Sequence, residues 1–198
     1  MPVVTKTKSG VLTARQREGR AVNAVAELLR KSLTVANIYL EPRSRDLSAD
    51  VLAVDRAGSG DLHGVEIKLE GDFAGPRFKN PTSPESLNQN KERWLQQFRR
   101  RVEETRKHVM SLPAHFRYLA IPDSARDLVL GELGPSLYSP DGIGRIGIIA
   151  ISDQGDGVPK AEIVIAPERF RVDAAKLSRI EKNLINNKKV RPDIEVRI

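Results

Sequence analysis

The chain has 198 residues, no cysteine, a formal net charge of +7 and a pI near 9.8. Its length favours one domain with a short appendage, large enough to bury a core without covalent or metal staples. The missing cysteines exclude disulfides and every cysteine-ligated zinc site.

Hydrophobic residues make up 39% and charged residues 30%, a balance that argues against wholesale disorder. The basic surplus favours a polyanionic partner such as nucleic acid. No stretch approaches the ~20 apolar residues of a membrane span. The N-terminus (MPVVTKTKSG) lacks the apolar segment of a secretory signal. These features predict a soluble, cytoplasmic protein with no membrane partner.

Residues 1–13 read as a loose basic leader. Val22, Val25, Ala26, Leu29 and Leu33 recur at helical spacing and predict a first helix over about 14–34. Three short strands follow, at Asn37–Glu41, Asp50–Asp55 and His63–Leu69. Ala57-Gly58-Ser59-Gly60-Asp61 is a turn signal, so the second and third strands should form a hairpin. Residues 71–90 carry three prolines and many small polar residues, and they read as a long loop.

A second long helix is expected over 91–111, ended by Pro113. Phe116–Ile121 reads as a strand and Ser124–Leu133 as a helix. Arg145–Ser152 is almost continuously apolar, as expected for a strand at the centre of a sheet covered on both faces. Ala161–Ala166 reads as another strand and 173–187 as a last helix before a basic tail. The expectation is an α/β fold with a central mixed sheet flanked by helices: a domain over 14–170, with a C-terminal helix and tail over 171–198.

The chemistry is concentrated in the third strand, His63-Gly64-Val65-Glu66-Ile67-Lys68-Leu69. Side chains alternate along a strand, so Val65, Ile67 and Leu69 point into the core while Glu66 and Lys68 share the other face. A turn centred near Gly58-Ser59 sets Asp50 opposite residues 66 to 68. Facing residues have Cβ atoms about 4.5–5.5 Å apart, so two carboxylates should meet beside an ammonium. Like charges at that distance repel, and a divalent cation between them removes the repulsion. Oxygen ligands of this kind suit Mg²⁺, or Mn²⁺ in its place.

Asp50 in SADVLAVD, then Glu66-Ile67-Lys68, placed after one helix and before a helix and strand, resembles the PD-(D/E)XK nuclease superfamily. The likeness runs from about residue 14 to 121. The stretch Phe116–Glu168 resembles the sheet extension of some members, and Ala49 stands where the motif has proline.

The resemblance implies a restriction-endonuclease-like core and a metal-dependent endonuclease that hydrolyses phosphodiester bonds in DNA with metal-activated water. Asp50, Glu66 and Lys68 would be catalytic. Asp50, Glu66 and the Ile67 carbonyl would hold the metal. The family often adds a glutamate from the first helix, and Glu18, on the apolar stripe, is favoured over Glu27. Gln96 or Gln97 matches a polar position of the second long helix. A homodimer is an expectation by analogy. The competing expectation is a nuclease-fold module without turnover that binds nucleic acid or a protein partner.

Other nucleic-acid contacts would come from Arg77 and Lys79 in the long loop, and from Arg100 and Lys107 on the second long helix. Trp94 reads as packing. Gly142–Gly147 matches G-x-G-x-x-G but precedes a strand, the wrong context for a dinucleotide site. His63, His108 and His115 have no ligand spacing and read as structural or exposed.

Overall fold

A computed structural model of the chain describes residues 13–33, 36–40, 43–44, 47–55, 60–73, 84–152, 159–186 and 194–195. The expected basic leader lies outside them, apart from Thr13. Thr13 opens helix α1 (Ala14–Ser32) with a capping box: its hydroxyl accepts the Gln16 N–H at 3.2 Å, and the Gln16 side chain accepts the Thr13 N–H at 2.8 Å. Two of the helix's orphan donors are satisfied this way.

An antiparallel meander follows, made of β1 (Ala36–Leu40), β4 (Val51–Asp55) and β5 (Leu62–Ile67). The small hairpin β2 (Arg43–Ser44) and β3 (Leu47–Ser48) is inserted after β1. Helices α2 (Glu70–Phe73) and α3 (Pro84–Ser111) lead to β6 (Phe116–Pro122), which runs parallel to β5. A 3-10 turn at Asp123–Ala125 precedes α4 (Arg126–Leu133). The chain then forms β7 (Gly147–Ser152), β8 (Lys160–Ile165), α5 (Ala174–Asn186) and β9 (Ile194–Glu195).

The strands make one seven-stranded mixed sheet in the order β8-β7-β6-β5-β4-β1-β9. Side-chain alternation divides it into two faces. On one face, Ile38, Val51, Ala53, Val65, Ile67, Tyr118, Ala120, Ile149 and Ile151 pack against the α1 stripe of Val22, Val25, Ala26 and Leu29. On the other, Leu119, Ile121 and Ile148 pack under Phe98, Val102 and Val109 of α3 and Val129 and Leu133 of α4. Ile180 and Leu184 of α5 cover Tyr39, Leu52 and Leu62 on that second face. Gly64 permits the close approach there, since a Cβ at this position would meet Ala114 Cβ at 3.1 Å.

Three expectations change. The loop read over 71–90 is helical at both ends: α2 occupies 70–73, and α3 begins at Pro84, seven residues before the predicted start. Proline fits a helix's first turn, where its missing N–H costs nothing, so it marked a start rather than a loop. β7 is buried as its apolar run demands, yet it lies second from the sheet edge, with β5 at the centre. Burial on both faces, not centrality, is what an apolar run reports. The basic tail contributes β9, which pairs antiparallel with β1. Within 171–198, the expected helix is α5, which packs on the sheet through Ile180 and Leu184.

Candidate functional site

The site lies where β5 ends and β4 begins. The hairpin register pairs Val51 with Val65, so Asp50, one residue before β4, stands opposite Glu66. The Asp50 N–H donates to the Val65 carbonyl at 3.0 Å, and its Oδ2 accepts the Ile67 N–H at 2.6 Å. The acid is therefore tied to the backbone of the strand that carries Glu66 and Lys68. On that strand Glu66 is buried at 7% exposure and Lys68 is half-buried. Lys68 Nζ donates to Glu66 Oε1 at 2.6 Å.

Burial pushes the Asp50 carboxyl up to about 6. The Ile67 N–H opposes this, Glu66 adds to it, Lys68 opposes it and Glu18 adds to it. Burial pulls the Lys68 ammonium down, but its hydrogen bond to Glu66 and the charges of Glu66, Asp72 and Asp50 outweigh that and hold it above its ordinary value. A carboxyl raised by burial next to a cation held charged is the kind of perturbation that gathers at functional sites.

Two clefts meet here. One, of about 610 Å³, lies under the start of α1 and is bordered by Arg17, Glu18, Asp50, Ile67, Glu70 and Asp72, among others. The other, of about 490 Å³, lies on the α3 side and is bordered by Glu66, Lys68, Asp72, Arg101, Thr105 and His108, among others. Gly71 and Asp72 border both. The end of β5 thus divides the acids, with Asp50 opening to the α1 side and Glu66 and Lys68 to the α3 side.

Glu18 borders the same cleft as Asp50 but is solvent-exposed, not buried on a sheet-facing stripe. Residues 15–19 of α1 are exposed, and its packing on the sheet starts at Ala21. Glu27 lies elsewhere, paired with Arg30 at 2.5 Å and Lys31 at 3.3 Å. On α3, Gln96, Gln97, Arg100 and Lys107 are exposed. Arg100 pairs with Glu104 at 2.8 Å and Lys107 lies 3.7 Å from Glu103. Arg77 and Lys79 lie outside the described residues. Trp94 stacks on Phe98 at 5.3 Å between ring centroids and packs on the core.

Among the described residues, no group of three or more His, Cys, Asp or Glu side chains is arranged to hold a metal ion.

His108 is the residue that sequence spacing missed. Its Nε2 lies 3.1 Å from Glu66 Oε2, although 42 positions separate the two residues. A signal existed: Arg101, Glu104, Thr105 and His108 follow i, i+3, i+4, i+7 spacing and form a polar row beside the apolar stripe of α3. His63 and His115 are structural as expected. His63 stacks on Phe116, and His115 Nδ1 accepts the Leu62 N–H at 3.0 Å.

No family model and no curated protein matches the chain. Among solved structures, the chain is similar to a protein of unknown function from Silicibacter pomeroyi, at 15% sequence identity and a TM-score of 0.39, with 90% of this chain and 94% of that chain covered. Among the described residues, no helix is long and apolar enough to cross a membrane. The fold is α/β, a mixed sheet with helices on both faces.

Proposed function

We propose that this chain is a Mg²⁺-dependent phosphodiester hydrolase of the PD-(D/E)XK kind, acting on DNA. The observation that carries the reading is a half-buried Asp50 carboxyl, bonded to the Ile67 N–H and pushed up to about 6, within electrostatic reach of the Glu66–Lys68 pair at the end of one hairpin. The element order from α1 to β6 supports it: a helix, an antiparallel three-stranded meander, a helix and a parallel strand.

Asp50, from the α1 side, and Glu66, from the α3 side, would hold the cation where the two clefts meet, with the Ile67 carbonyl as a further oxygen donor. When bound, such a cation supplies a water of lowered pKa and stabilises charge on a phosphate. Lys68 keeps its proton, so it can hold a phosphate oxygen and stabilise charge that develops on it. The Ile67 N–H fixes one Asp50 oxygen and so limits the directions in which that carboxylate can offer lone pairs. Asp50 and Lys68 are half-buried and Glu66 is buried, which strengthens the charge interactions among them relative to open water.

Incubation with supercoiled, linear and branched DNA, in Mg²⁺ or Mn²⁺ and then in EDTA, tests this. Metal-dependent nicking that disappears in Asp50→Ala and Lys68→Ala is the expected result. Wild-type protein that leaves every substrate intact would overturn it.

One observation favours a second reading, a binding module without turnover. Both Glu66 oxygens are already engaged, by Lys68 and by His108. DNA retention without cleavage in the same assay would select it.

A further inference from the structure

Glu66 is held from two directions. The first contact is Lys68 Nζ on Oε1, which comes from two residues along the chain, just past the end of β5. A contact so local moves with its own segment and does not fix the carboxylate relative to the rest of the fold.

The second contact comes from α3, where His108 Nε2 lies 3.1 Å from Oε2. A carboxylate only accepts, so Nε2 must carry the hydrogen and donate it. The helix delivers this donor rigidly. Val102 and Val109 are 3% and 0% exposed against the sheet, and Thr105, one turn before His108, is 8% exposed. The imidazole itself is only 38% exposed and faces the cleft it shares with Lys68 and Arg101.

The geometry points to His108 as a positioning residue of the candidate site: its Nε2–H fixes the second oxygen of Glu66 and so sets how that carboxylate meets a divalent cation. This rests on the reading of Glu66 as a cation ligand. Outer partners that orient a metal-binding group typically change metal affinity about 10–100-fold when removed. A contact that merely tied α3 to the sheet would change the melting temperature and leave affinity alone.

The test is titration of the metal-free full chain with Mn²⁺ by calorimetry, with thermal melts of the same proteins. His108→Ala should bind Mn²⁺ about 10–100-fold more weakly than the parent. His108→Gln, whose side-chain amide keeps a donor, should recover most of that loss. Wild-type affinity in His108→Ala, with binding lost in Asp50→Ala, would overturn the role of His108 while leaving the metal site intact. His108→Gln as weak as His108→Ala, with both melting like the parent, would also overturn it. A parent chain that takes up no Mn²⁺ would overturn the cation reading, and this proposal with it.

Discussion

At the N-terminal end of β5 the buried acid is paired with a guanidinium; at its C-terminal end Glu66 is paired with Lys68 and His108, while the half-buried Asp50 accepts a backbone N–H and is pushed up by burial. Asp61 is 7% exposed, and its Oδ1 accepts from the Arg169 guanidinium at 2.8 Å. His63, close by, is pushed down to about 4 by burial, so it stays neutral there. Arg117 is pushed down to about 10 by burial, yet it donates to the Met110 and Ala114 carbonyls and lies 4.1 Å over the Phe170 ring. At the other end Asp50 is half-buried with the charge of Glu66 near it, and Glu18 adds a third negative charge nearby. The first end reads as structure; the second, where burial is the main cause that pushes Asp50 up to about 6, is where the proposed site lies.

The sharpest way to break that contrast is at Lys68. Lys68→Ala should reduce DNA nicking by at least about 100-fold, the scale of losing one charge-stabilising donor. Arg169→Ala, at the opposite end, should leave nicking unchanged. Equal losses in the two variants would show that both ends only hold the fold together. Initial rates on supercoiled plasmid measure this.

Asp61→Asn should destabilise the chain by about 2–3 kcal/mol in urea unfolding at pH 7, since it removes the charged partner of Arg169 from a buried position. A neutral result would mean that this pairing does not stabilise its end of the strand.

Asp50→Asn should act in the opposite direction. The folded-state carboxyl titrates near 6 against an ordinary value of 3.8, so the folded chain holds the proton more tightly than the unfolded chain. The resulting cost to stability is complete above about pH 6 and is relieved as pH falls toward 3.8. Asparagine never ionises. The variant should therefore be more stable than the parent by roughly 1–2 kcal/mol at pH 7–8, after allowance for partial exposure, and no more stable at pH 4. Urea midpoints across that pH range check both the sign and the window. Asp50→Asn should also lose metal-dependent nicking, and a gain in stability with a loss of activity is the usual mark of a functional acid.

The smallest effect belongs to the exposed pair on α3. Arg100→Ala should leave the urea midpoint unchanged, because a solvated i,i+4 pair contributes little. A salt-dependent fall in DNA affinity in that variant would place α3 on the nucleic-acid path.

The local elements were legible because each is written in short-range periodicity. Val22, Val25 and Leu29 at helical spacing, and Val65 and Ile67 alternating with Glu66 and Lys68, are decided within a few residues by where the backbone must point its side chains. The turn signal read at 57–61 placed Asp50 opposite residues 66 to 68, and the observed register puts it opposite Glu66.

What the sequence determined by itself was therefore the α/β pattern, the faces of Glu66 and Lys68 against Val65 and Ile67, and the placing of position 50 opposite residues 66 to 68. Only the tertiary structure decided that β7 lies near the sheet edge, that residues 194–195 pair with β1, and that His108 reaches Glu66. It also decided that Glu18, and not Glu27, borders the cleft of Asp50. These depend on how layers stack and which strands become neighbours, and that is governed by burial summed over the whole molecule, with no trace in the spacing of any one segment.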